Sequence, residues 1–313
     1  MWKNLVAFLL FLSYLQAETI EEAFERGHNL FLDRKYEEAI EPLEQACKEK
    51  HNKACNDLGA IYSAIKLDHE KAFNAFKIAC DNGDNNTCSA VAELYILGKG
   101  IDKDVQKGLE ILNKNVEKEN SKAMLIMSAL YIQGAEIEKD YSKALNLGLK
   151  ACDKGEALAC RLVAEIYQNG FGVAISNEKT FEFFKKSCVE SDTSLDTGGC
   201  VNAGAMLEIG VGTDKNTNEA LKMYNTACSL DEKVGCVNYG LLLYKLKKYQ
   251  ESIKFNTKAC DDKKIAKSCF ITAVQYATNQ GVSQNEQYII KYLKLACEYG
   301  ENEACVMLKK LRK

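Results

Sequence analysis

The reactive side chains of this chain are mostly sulfur. Fourteen of its 313 residues are cysteines, and they come in pairs: Cys47/Cys55, Cys80/Cys88, Cys152/Cys160, Cys188/Cys200, Cys228/Cys236, Cys260/Cys269 and Cys297/Cys305. Five pairs enclose seven residues, one encloses eleven and one eight. An even count at a repeated spacing reads as a disulfide framework in an oxidising compartment. Zinc is disfavoured, because paired cysteines are consumed and no C-x-x-C or H-E-x-x-H spacing occurs. Neither a metal nor a cofactor is expected.

Few other side chains are set out for chemistry. "SAIK" places Ser63 three residues before Lys66, a spacing at which a lysine can activate a serine. Acyl-transfer enzymes of that kind also need S-D-N and K-T-G elements, and the chain has neither. A Ser-His-Asp triad requires a histidine. The three available, His28, His51 and His69, crowd into the first quarter of the chain in contexts that read as packing or solvated positions.

The cysteines ride on a repeat. First cysteines stand at 47, 80, 152, 188, 228, 260 and 297, and the gap after 80 holds one more unit, with Val116 and Met124 in place of the thiols. The period is about 36 residues, and the thiols are an addition to the unit rather than its cause. Four residues after every second-cysteine position but the last, Met124 included, the side chain is small: Gly59, Ala92, Ser128, Ala164, Gly204, Gly240, Ala273. Seven residues after it stands Tyr62, Tyr95, Tyr131, Tyr167, Leu207, Leu243 or Tyr276. Both offsets lie on one helix face, and the small residue admits a second helix. The tyrosines read as core rather than as an aromatic ligand box. Loops such as "GKGI" and "GFGV" separate the two helices of a unit, with glycine for left-handed helix ends. "SAIKLDHEKA" and "LYKLKKYQESI" shorten this loop. Pro42, the only proline, falls in the first unit's second helix and should bend it.

Each unit is therefore an antiparallel helix pair that buries its apolar side by stacking. Eight pairs and a polar capping helix near 302–312 are expected, as one all-α domain over residues 18–313. The first cysteine ends one helix and the second begins the next, so local bridges across each turn are favoured. A link from Cys55 to Cys80 across one hairpin stays open. Ahead of the repeats, one lysine precedes an apolar run from Leu5 to Leu15. That length suits a secretory signal peptide over residues 1–17, cleaved after Ala17, better than a membrane span. A retained anchor is the alternative. The formal charge of −3 is spread thinly, which argues against a nucleic-acid partner.

The small-residue "LGxxYxxGxGV" phrase resembles SEL-like repeats, relatives of tetratricopeptide repeats. With a cysteine pair at each turn and a leader, the chain resembles the secreted cysteine-rich Hcp family over residues 20–313. The resemblance implies a right-handed α-solenoid, an exported monomer in the periplasm or outside the cell, and no membrane span in the mature chain. It also implies two functions. One is a β-lactamase activity, the weak binding or hydrolysis of a β-lactam or a peptidoglycan-related ligand. The other is peptide or protein binding on a concave face lined by the first helices. In such proteins an asparagine two residues after the cysteine position often holds a peptide backbone. Asn202 and Asn238 match it here, with Asp57 as an acidic counterpart. Ala90, Ile126, Leu162 and Ile271 occupy that position elsewhere.

Overall fold

The structure, a computed structural model, describes residues 18–188 and 196–311. The expected leader over residues 1–17 lies outside the described residues. All regular elements among the described residues are helical. One compact unit ends at Asp140 and a second begins at Tyr141.

The first unit contains α1 (Ile20–Leu32), α2 (Tyr36–Lys48), α3 (Asn52–Ala60), α4 (His69–Asp81), α5 (Asn85–Leu97), α6 (Val105–Glu117) and α7 (Ser121–Gln133). The second contains α8 (Tyr141–Asp153), α9 (Ala157–Asn169), α10 (Asn177–Ser187), α11 (Thr197–Ile209), α12 (Thr217–Ser229), α13 (Lys233–Lys245), α14 (Tyr249–Lys263), α15 (Ala266–Ala277), α16 (Glu286–Glu298) and α17 (Asn302–Leu311). Odd-numbered helices are the first helices of the pairs, even-numbered ones the second, and α17 stands at the expected cap. Helix α2 continues through Pro42, which is buried inside it.

Local chemistry sets the helix ends. Thr19 and Glu22 form a reciprocal capping box on α1, which satisfies two orphan backbone donors. Asp84, Asn120 and Asp196, each four residues before a second-cysteine position, accept backbone N–H bonds at the starts of α5, α7 and α11. The two glycines of a "GxG" loop have different tasks. Gly98 closes α5 in the left-handed conformation, at φ 66°. Gly100 lets two hairpins touch, since a Cβ there would lie 1.9 Å from the His69 carbonyl oxygen. Gly212 meets the Asn177 carbonyl in the same way.

In most pairs the small residue of the first helix faces a large one in the second. A Cβ on Gly59 would lie 2.4 Å from the Phe76 ring, and one on Gly204 2.7 Å from Tyr224. Phe76 and Tyr224 both stand four residues before a first cysteine. The same two register positions carry Ala164 and Phe184, and Ala273 and Leu293, all buried. Between Gly240 and Asn256 the large partner is polar. The Asn256 amide donates to the Gly240 carbonyl at 3.3 Å and to Ser252 Oγ at 3.1 Å, which satisfies its NH2 group, while its buried Oδ1 has no hydrogen-bond partner.

Seven disulfides join the end of one pair to the start of the next: Cys47–Cys55, Cys80–Cys88, Cys152–Cys160, Cys188–Cys200, Cys228–Cys236, Cys260–Cys269 and Cys297–Cys305. The unbridged joint between α6 and α7 is clasped by amides instead. Asn115 donates to the Asn85 carbonyl at 3.0 Å and to Ser89 Oγ at 3.2 Å. Ser89 Oγ in turn donates to the Asn120 side chain at 3.1 Å. The clasp puts a buried Asn where the bridged joints of the first unit have Ala46 and Ala79.

Candidate functional site

Two surfaces could carry function, one on the first helices and one between successive second helices. On three of the first helices the residue after the second cysteine is polar and is spent on structure. Asn56 donates to the α5 cap Asp84 at 3.0 Å, and Ser89 binds the α7 cap. Arg161 Nε stands 3.0 Å from the α11 cap Asp196 as an ion pair. This ladder ties α3 to the start of α5, α5 to that of α7 and α9 to that of α11.

The next position along is more varied. In the first unit Asp57 Oδ2 lies 2.7 Å from His28 Nδ1. The Phe24 ring stacks on His28 at 5.2 Å and on His51 at 4.2 Å. His51 also caps α3, accepting from the Ala54 N–H at 3.2 Å, and its Nε2 is 3.4 Å from Glu21. Both histidines therefore brace α1 against α3. His69 opens α4, with a buried Nδ1 that has no hydrogen-bond partner. In the second unit Asn202 is exposed on α11 and Asn238 is half-buried on α13, and these two helices pack together. Among the described residues neither amide makes a hydrogen bond.

Ser63 does not sit in the expected loop. The chain continues α3 as one π-helical turn, Ile61–Ile65, which takes up the shortened connection. Lys66 follows it, and its ammonium pairs with Glu37. The lysine that would have to activate Ser63 is thus drawn to the second helix of the preceding pair.

Of the tyrosines seven residues after the cysteines, Tyr62, Tyr95 and Tyr167 are buried, and a lysine from the following second helix covers each of the three. Lys107 Nζ lies 4.5 Å from the Tyr95 ring centroid and Lys179 Nζ 4.6 Å from that of Tyr167. Tyr62 donates to Glu44 at 2.7 Å and Tyr224 to Glu208 at 3.1 Å. Burial first, and then the adjacent carboxylate, hold both phenols far above their ordinary value of 10. A raised phenol favours the folded state up to the unfolded value and loses that contribution as pH rises beyond it. The melting temperature should therefore fall as pH is taken above about 10. Tyr62→Phe should make that fall shallower, as calorimetry from pH 8 to 11 would measure. An equally steep fall in the variant would refute this role for Tyr62.

Between second helices the surface is cleft. One cleft of about 370 Å³, lined by Cys47, Tyr62, Lys71 and Ile78 among others, runs between α2 and α4. A second, of about 240 Å³, runs between α12 and α14 and is lined by Cys228, Phe255, Lys258, Asp262 and Lys263 among others. Neither was marked by the repeat alone, because their lining lies on two helices about 30 residues apart. Among the described residues no cluster of potential metal ligands occurs, and no helix is long and apolar enough to cross a membrane.

The family model for the Sel1 repeat matches residues 52–84, 87–114, 121–156, 157–188 and 198–232. The matches keep the phase of the helix pairs described above. Among solved structures, the chain is similar to c5321, a protective antigen present in uropathogenic Escherichia coli strains displaying an SLR fold. Identity is 18%, the TM-score is 0.61, and 95% of this chain and 65% of the antigen are covered. The chain thus spans just under two thirds of the antigen's length. It is also similar to a Sel1 repeat protein from Oxalobacter formigenes, at 20% identity and a TM-score of 0.58, covering 97% of this chain and 91% of that one. Helicobacter pylori cysteine rich protein B (hcpB) is 25% identical over 43% of this chain and 93% of its own, with a TM-score of 0.35. No curated protein matches the chain.

Proposed function

Because the chain belongs to the Sel1 repeat family, we propose that it is a protein-interaction scaffold whose second unit holds an extended peptide along its first helices. The observation that carries the reading is the state of Asn202 and Asn238. They occupy equivalent positions on neighbouring helices, and their amides are not consumed by the cap ladder beside them. An amide presents a donor and an acceptor together, which matches the alternating groups of a peptide backbone. Seven disulfides fit a working place in an oxidising compartment, and the leader expected over residues 1–17 fits export.

The test is capture of binding peptides from a displayed library by the oxidised protein, followed by affinity measurement with Asn202→Ala/Asn238→Ala. Each lost amide interaction is worth about 0.5–1.5 kcal/mol, so the double variant should bind roughly 5- to 150-fold more weakly. Unchanged affinity with an unchanged melting temperature would remove these residues from the binding surface. Hydrolysis of a β-lactam, the other expectation from family resemblance, gains no support from Ser63, whose nearest lysine in sequence is held by Glu37.

A further inference from the structure

We propose that Cys228–Cys236 is a thiol-exchange site, open to a small thiol through the cleft between α12 and α14. Three observations meet there. Cys228 lines the cleft of about 240 Å³ and keeps 5% of its surface exposed, while Cys236 on the far side of the bond is completely buried. Lys263 Nζ stands 3.9 Å from Cys236 Sγ. The same ammonium donates to the Cys228 carbonyl at 3.0 Å and pairs with Asp231 at 2.9 Å, so it is fixed beside the bridge. Lys258 and Asp262 complete the charged groups lining the cleft.

This arrangement gives the bond a direction. An incoming thiolate reaches Cys228 and forms a new S–S bond to its sulfur. The Cys228–Cys236 bond breaks, and its electron pair leaves on Cys236 as a thiolate facing the Lys263 ammonium. One disulfide and one thiolate become a mixed disulfide and a new thiolate, so no oxidant or reductant is consumed. A neighbouring cation lowers a thiol's pKa and makes it a better leaving group. All seven second cysteines begin a helix in the same way, so the helix terminus does not single this one out. The lysine does.

Glutathione is the probe. The oxidised protein is incubated with it, quenched with acid, and mapped by mass spectrometry. The expected adduct is on Cys228, with Cys236 as the free thiol. Relative to Cys80–Cys88 in the same sample, opening should slow about 3- to 10-fold in Lys263→Gln and be restored in Lys263→Arg. A second measurement does not need the intact bridge. In Cys228→Ser the lone Cys236 thiol should be alkylated with a pH midpoint below the ordinary value of about 8.5, and Lys263→Gln should raise that midpoint. An adduct on Cys236, or a glutamine variant that opens as fast as the arginine one, would overturn the proposal. So would a Cys236 midpoint at or above the ordinary value that Lys263→Gln leaves in place.

Discussion

Tyr224→Ala should destabilise the second unit by about 3–5 kcal/mol, the range for truncating a large buried aromatic side chain. The ring is only 1% exposed and packs against the one backbone position, Gly204, that leaves room for it. A cavity there has no easy way to collapse, because Leu207, Ala220, Leu221 and Leu243 pack around it on three helices. The lost hydroxyl frees Glu208, whose carboxylate is partly exposed and also bound by Lys245 at 2.7 Å, so the change is dominated by packing. The sharper result is a reversal of sign at Gly204. In the native background Gly204→Ala should destabilise, since its Cβ would lie 2.7 Å from the ring. In the Tyr224→Ala background the same change should stabilise by up to about 1 kcal/mol, the intrinsic advantage of Ala over Gly in a helix. Urea unfolding of the four proteins forms a double-mutant cycle. Additive effects would show that the small and large residues of a pair do not depend on each other.

That dependence also marks what could be read from the chain. The column of small residues was legible because it is continuous: Gly, Ala or Ser appears at every repeat. Its partner column was not, because it mixes Phe76, Leu112, Phe184, Tyr224 and Leu293 with Gly148 and Asn256. A position that varies from glycine to tyrosine has no periodic signature. The Val116/Met124 unit was legible as a repeat without thiols, and two apolar side chains account for its register. The Asn115 clasp was not legible, since its partners Asn85 and Ser89 come from the preceding repeat. The shortened loop after Tyr62 was visible as a deletion. Its absorption by a π-helical turn depends on backbone bonds such as that from the Lys66 N–H to the Ile61 carbonyl, at 3.0 Å. No residue type records such a bond. His28 and His51 read from the sequence as packing or solvated positions, but their joint stacking on Phe24 needs the packing of α1 on α3.

Complete reduction should melt the second unit before the first. Closing a loop of eight or so residues in the unfolded chain is worth about 2.5 kcal/mol. The second unit carries five bridges, from Cys152–Cys160 to Cys297–Cys305, and so would lose about 13 kcal/mol on that scale. The first unit carries two and would lose about 5 kcal/mol. A folded domain has about 5–15 kcal/mol in all, so the larger loss is comparable to the whole stability of the second unit. A repeat array does not have to unfold at once, however, because each pair contacts only its neighbours. Released joints let helices fray singly, and the broad transition that follows is itself an expected observation. Hydrogen exchange on the reduced, alkylated protein should show protection lost across residues 196–311 and best retained around α5–α7, where Asn115 and Asn120 hold the joint without sulfur. Asn115→Ala should erase that remaining protection while changing the oxidised protein far less, since intact bridges still hold the flanking joints. Uniform protection after reduction would mean that helix packing alone sustains the array and that the bridges serve another purpose. Loss of the first unit ahead of the second would mean that the amide clasp does not substitute for a disulfide.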